Sequence, residues 1–109
     1  MKRGECWWAD WPANQRHPVV LLSWDSHGTW RDQVTIAVVT SSIRNVDAEV
    51  ALGPADGMPR ECVVNLNDLA TVSRSVLDAR ICALTHNRMG EVERAIHLAL
   101  GMALPCKAR

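Results

Sequence analysis

The chain of 109 residues contains no tyrosine and no phenylalanine, and its five tryptophans all fall between Trp7 and Trp30. Aromatic packing, and any aromatic contact with a ligand, is therefore confined to the first third. Neither sign of charge is in excess: twelve Lys and Arg balance twelve Asp and Glu, so attraction to a polyanion cannot come from net charge, and a nucleic-acid site must be local. Ten of the twelve cations are arginine, which suits bidentate phosphate contacts, although a GC-rich genome produces the same bias. No apolar run approaches the ~20 residues needed to span a bilayer, and no signal-peptide-like stretch follows Met1-Lys2-Arg3-Gly4-Glu5. The expectation is a cytoplasmic protein without membrane contact. Close cysteine pairs are missing too. Cys6, Cys62, Cys82 and Cys106 are scattered through apolar segments, without zinc-site spacing, and are expected as reduced thiols packed like small hydrophobes. No structural metal is expected.

Internal repeats and Gly/Ser linkers are also absent, so residues 1–109 are expected to form one domain, with a core over 3–102 and a flexible tail at 103–109. Hydrophobic residues make up 48% and charged residues 22% of the chain, which excludes disorder as its main state.

Short strands dominate the pattern. Cys6-Trp7-Trp8-Ala9-Asp10-Trp11 is rich in strand-favouring aromatics and ends at the turn composition Pro12-Ala13-Asn14. Pro18 to Ser23 is a continuous apolar run, as in a strand covered on both faces. Residues 24–32, with Asp25, Ser26, His27 and Gly28 among two tryptophans, read as a loop. Val34 to Thr40 is the strongest β-branched run and predicts the central strand. After a turn at Ser41 to Asn45, the stretch Asp47 to Leu52 puts Ala48, Val50 and Leu52 on one face. Gly53 to Pro59 holds two glycines and two prolines and reads as a loop. Cys62 to Leu66 and Leu69 to Val72 read as two short strands, then a one-turn helix at Ser73 to Leu77 and a last strand at Ile81 to Leu84. Thr85 can cap a helix in which Met89, Val92, Ile96, Ala99 and Leu100 recur every three or four residues, ending at Gly101. The predicted class is mainly β (α+β): a small, partly open β-barrel with short helices and a C-terminal amphipathic helix.

Four blocks in order carry a family resemblance. Arg3-Gly4-Glu5-Cys6-Trp7-Trp8-Ala9-Asp10-Trp11 resembles the "RG(D/E)-x-(W/Y)-x-(A/V)-D" opening of MazF/PemK-type toxins. Arg16-His17-Pro18-Val19-Val20-Leu21-Leu22-Ser23 resembles their "RPVLV(L/V)S" segment, and Ile36 to Ser42 their "(V/A)-x-(V/I)-T-(S/T)" strand end. Cys62 to Val72 is similar to their "V-x-(V/L)-x-Q-(I/V)-(R/K)-T-(I/V)" stretch, followed by the "Leu-x-x-x-Met-x-x-Val" helix at Leu84 to Val92. The resemblance covers residues 3 to about 102. It implies an SH3-like barrel that forms a homodimer, a cognate antitoxin as inhibitor, and cofactor-free, metal-independent cleavage of single-stranded RNA. The implied chemistry is attack of the ribose 2′-OH on its own phosphate, giving a 2′,3′-cyclic phosphate.

Such a reaction needs a proton acceptor for the 2′-OH, a proton for the leaving 5′-oxygen, and donors or positive charge around the phosphorane. The resemblance assigns catalysis to a Thr ending the third strand, matched by Thr40, and to an Arg before the strand-two Pro. Here His17 holds that place, and Arg16 precedes it. Three accounts stand: His17 as base beside an Arg16 clamp, Arg16 alone on a slipped strand, or an inert surface pair. An imidazole, with an ordinary pKa near ~6.5, accepts protons at neutral pH where a guanidinium stays charged. Ser41 and Ser42 are candidate auxiliary donors. Trp24, Trp30 and Arg31 are candidate RNA contacts by stacking on unpaired bases, or else are buried at the dimer contact or under the barrel mouth. Arg44 either touches phosphate or is a solvated turn cation. Trp7, Trp8 and Trp11 are read as core or interface, and His86 and His97 as surface residues. Asp68 and Ala70 replace the family's Gln and Arg or Lys, so base specificity does not transfer. The rival to an RNA-cutting toxin is a non-catalytic toxin or binding module on the same barrel, acting on a protein target such as gyrase.

Overall fold

A computed structural model describes residues 1–23 and 32–103. The β-branched and aromatic runs form six strands: β1 (Glu5–Asp10), β2 (Arg16–Leu21), β3 (Gln33–Thr40), β4 (Glu49–Leu52), β5 (Cys62–Ser73) and β6 (Leu77–Ala83). They make one antiparallel sheet in the order β4-β5-β3-β2-β1-β6. The sheet curls into a half-barrel, in keeping with the partly open barrel expected. One helix, α1 (His86–Ala99), closes it, with the Thr85 hydroxyl accepting from the Arg88 amide at its start. Among the described residues no helix is long and apolar enough to cross a membrane.

Strand alternation gives the sheet two apolar faces. Cys6, Val20, Ala37, Val39, Val64 and Leu66 point toward α1 and pack on its Met89, Val92 and Ala95. Ala9, Val19, Leu21, Ile36 and Val72 point the other way and are covered by Trp7, Trp11, Val34 and Leu77. The continuous apolar character of β2 and the centre of β3 follows, since both are buried on both faces. Cys6 and Cys62 are buried and Cys82 is half-buried, all as free thiols. Burial pushes all three thiols above their ordinary range, which leaves them packing groups and not nucleophiles.

Three elements differ from the sequence reading. The two strands expected at 62–66 and 69–72 are one twelve-residue strand, β5, broken only by a bulge: Ala37 pairs with Leu69, but its neighbour Val38 pairs with Asn65. Leu66, Asn67 and Asp68 are the inserted residues, and the two polar ones made the strand look interrupted. β6 begins four residues before Ile81, because its polar stretch Asp78-Ala79-Arg80 pairs with β1 while staying exposed, which erases the hydrophobic alternation that marks a strand. β2 likewise begins at Arg16, before Pro18. The one-turn helix expected near Ser73 is present at Arg74–Val76.

Candidate active site

At the end of β3 two clefts meet. The larger, about 340 Å³, is lined by Trp11, Gln15, His17, Thr40, Ser42, Arg44, Asn65 and Asp68, among others. The smaller, about 250 Å³, is lined by Trp8, Arg16, His17, Thr40, Ser41, Met58 and Arg60, among others. His17 and Thr40 border both.

Register explains the meeting. Val19 pairs with Val38 and Leu21 with Ile36, so continuing that register by two residues brings His17 and Thr40 to facing positions just past the last paired residues. Both side chains share the face of Val19 and Ile36, away from α1. Arg16, one residue earlier, lies on the opposite face and enters only the smaller cleft. Its guanidinium stacks 4.9 Å from the Trp8 ring centroid and pairs with Asp78 of β6. Strand geometry thus gives no support to a slipped strand with Arg16 in the place of His17.

Local hydrogen bonds orient the central pair. Thr40 Oγ1 accepts the Ser42 amide at 3.1 Å, which leaves its O–H proton to donate elsewhere. His17 Nε2 lies 3.2 Å from Gln15 Oε1. With its proton on Nε2 the imidazole donates to this amide oxygen, and in that tautomer Nδ1 is the proton acceptor. Gln15 comes from the tight β1–β2 turn, in which the Trp11 amide donates to Gln15 O at 2.8 Å and Ala13 and Asn14 both take positive φ, 32° and 62°.

Two loops supply the remaining groups. In the β3–β4 loop, the Glu49 carboxylate accepts both the Arg44 and Asn45 amides at 2.9 Å, fixing the backbone that carries Ser42 and Arg44. In the β4–β5 loop, a one-turn helix at Pro54–Asp56 precedes Gly57, whose φ of 98° and close approach to Cys82, 2.7 Å for an added Cβ, exclude a side chain there. Asp56 accepts from Arg88 Nε at 3.0 Å and from the Gly53 amide at 2.9 Å. Burial alone would raise its carboxyl, but these bonds hold it below the ordinary aspartate value. That loop delivers Arg60 to the smaller cleft.

Arg3, Arg16, Arg80 and Arg88 are each paired with a carboxylate, whereas Arg44 and Arg60 have no ion-pair partner among the described residues. Arg44 and Arg60 line the clefts beside Thr40, whereas Arg94, exposed on α1 and likewise without an ion-pair partner among the described residues, does not. Sequence reading missed Arg60, because nothing near Pro59 signals that its loop folds back to the end of β3. Trp8 and Trp11, read from the sequence as core or interface, are half-buried, and besides the packing of Trp11 on the core both line the clefts. The candidate contacts Trp24, Trp30 and Arg31 lie outside the described residues. His86 is exposed on α1, and His97 Nδ1 lies 2.8 Å from the Glu93 carbonyl; neither approaches the clefts. Among the described residues no group of three or more His, Cys, Asp or Glu is placed to hold a metal ion.

Comparisons with known proteins agree with this architecture. A family model described as "PemK-like, MazF-like toxin of type II toxin-antitoxin system" matches residues 2–100. The chain is 39% identical over 105 residues to "Probable endoribonuclease MazF5" of Mycobacterium tuberculosis (strain ATCC 25618 / H37Rv), covering 95% of this chain and 93% of that protein. Among solved structures, an "Endoribonuclease from Mycobacterial species" superposes with a TM-score of 0.84 at 23% identity, covering 96% of this chain and 95% of that one. An "Endoribonuclease in complex with its cognate antitoxin from Mycobacterial species" superposes with a TM-score of 0.85 at 23% identity, covering 96% and 99%. At these identities the structural matches speak for the fold alone.

Proposed function

Because the chain belongs to the PemK-like, MazF-like toxins of type II toxin–antitoxin systems, we propose that it is a cytoplasmic endoribonuclease that cuts single-stranded RNA without a metal ion, works as a homodimer and is silenced by a cognate antitoxin. The observation that carries this reading is the placement of His17 and Thr40 on one face, opposite each other, at the junction of two clefts flanked by unpaired arginines. An RNA strand crossing the junction puts one phosphodiester between them.

His17 Nδ1 takes the proton of the ribose 2′-OH, and the 2′-oxygen attacks the adjacent phosphorus. The P–O5′ bond breaks, O5′ takes a proton from water in the open cleft, and the products are a 2′,3′-cyclic phosphate and a 5′-OH. Thr40 donates its hydroxyl proton to a non-bridging oxygen, and Arg16 and Arg60, from the smaller cleft, offset the charge that grows on the phosphorane. Arg44 holds a neighbouring phosphate.

Incubation of the purified protein with mixed-sequence single-stranded RNA in EDTA tests this. Cyclic-phosphate ends are expected, with His17→Ala and Thr40→Ala each lowering the rate, the former by about 10²- to 10⁴-fold, and Thr40→Ser retaining most activity because it keeps the hydroxyl. RNA left intact at high protein concentration would assign the fold to a non-catalytic toxin acting on another target.

A further inference from the structure

The larger cleft holds a feature at odds with a polyanion: the exposed residue Asp68 lines it, and its carboxylate has no hydrogen-bond or ion-pair partner among the described residues. A carboxylate beside an RNA path repels phosphate and attracts a group rich in N–H donors. The backbone places it there by a specific device. The three inserted residues of β5, Leu66 to Asp68, bulge between the Ala37–Leu69 and Val38–Asn65 pairs, and bulges beside functional sites re-aim side chains. Leu66 anchors the bulge, fully buried, with its amide donating to the Ala48 carbonyl at 2.8 Å. Asn65 Oδ1 accepts the Asn67 amide at 2.9 Å, which leaves the Asn65 side-chain NH₂ as a donor on the same cleft wall.

Resting on the reading of this cleft as an RNA path, we propose that Asp68, Asn65 and Trp11 form a subsite selective for an unpaired guanine next to the cleaved phosphate. Among the four RNA bases only guanine presents two adjacent N–H donors, N1–H and N2–H, on its Watson–Crick edge, and these match the two acceptor oxygens of a carboxylate. Its O6, next along that edge, accepts a hydrogen bond from the Asn65 NH₂. Cytosine and adenine offer one amino group beside a lone pair, which the second carboxylate oxygen repels. Uracil offers a single N–H between two carbonyls. Trp11, half-buried at the β1–β2 turn, supplies an aromatic face on which the flipped-out base stacks, and Arg44 on the same cleft neutralises the adjoining phosphate. Selection thus combines attraction to one base with rejection of the other three.

The test separates binding from cleavage. Full-length protein is titrated, by fluorescence anisotropy, into 2′-O-methyl oligonucleotides, which cannot undergo 2′-OH attack: a uridine tract carrying one guanosine, the same tract with inosine in its place, and the tract of uridine alone. The guanosine oligonucleotide is expected to bind about tenfold more tightly than the inosine one, which lacks only the N2 amino group, and more tightly still than uridine alone. Asp68→Asn is expected to erase these differences, while Thr40→Ala, which removes the proposed catalytic hydroxyl, keeps them. Equal affinity of the wild-type protein for all three, or for none, overturns the subsite. So does a preference that survives in Asp68→Asn, or an Asp68→Asn variant that binds all three more tightly by one factor, the signature of plain repulsion. Cleavage of unmodified RNA without a guanine preference would sink the subsite and leave the nuclease standing, whereas a guanine preference without cleavage would do the reverse.

Discussion

Arg16 and His17 are consecutive in the chain, yet β2 turns their side chains to opposite faces of the sheet, and this decides what each can do. His17 shares its face with Thr40; Arg16 is drawn toward β6, stacked on Trp8 and paired with Asp78. The pair with Asp78 is about half exposed on both sides, so it adds little to stability, but it competes for the guanidinium that a phosphate would use. Releasing Arg16 by Asp78→Asn is therefore expected to tighten single-stranded RNA binding several-fold and to make it more salt-sensitive by roughly one phosphate contact, a change of ~0.7 in the slope of log affinity against log salt. Unchanged affinity and slope would mean that Arg16 does not reach the substrate.

At the level of elements, the loop between β4 and β5 is tied to the rest of the fold by side-chain bonds. Its one-turn helix is tied to α1 through Asp56 and Arg88, and the Arg88 guanidinium is raised above its ordinary range chiefly by its hydrogen bond to Asp56. The folded state thus favours ionised Asp56. Its contribution is full above the ordinary aspartate range, near 3.8, and is lost as pH falls below it. Glu5 acts in the same direction: burial opposes its charge, but hydrogen bonds from Trp7, Lys2 and Arg80 hold it low. Asp56→Asn is expected to cost about 1–3 kcal/mol in urea unfolding at neutral pH and to shrink, without abolishing, the fall in stability as pH drops below the ordinary aspartate range. Because the same loop carries Arg60, the variant should also weaken RNA binding. The bulge in β5 is a second element of this kind. Leu66→Ala would remove its fully buried anchor, with an expected loss of about 2–5 kcal/mol in the same unfolding measurement.

Across the whole molecule, charges sum to zero, so RNA affinity rests on a few local guanidiniums. With Arg44 and Arg60 as the contacts and Arg16 held by Asp78, log affinity for a single strand should fall with log salt at a slope of about −1.4, and Arg60→Ala should reduce its magnitude by ~0.7. A much steeper slope would point to a wider basic surface than the described residues provide.

The division between what was legible in the chain and what was not follows the range of the interactions. Strand and helix patterns, the Thr85 cap and the buried cysteines depend on hydropathy period and local chemistry, and all could be read directly. Thr40 and the residue before Pro18 were legible as a candidate pair because four short blocks in order resemble one family. Tertiary structure alone decided the rest. Pairing register put His17 and not Arg16 across from Thr40; a three-residue bulge turned an apparent break at Asn67-Asp68 into a cleft wall; and a loop pinned to α1 brought Arg60 to Thr40, twenty residues earlier in the chain, and to His17, forty-three earlier. Each of these depends on contacts between segments distant in sequence, to which local propensity is blind, because a strand's pattern states which residues share a face but not which partner that face will meet.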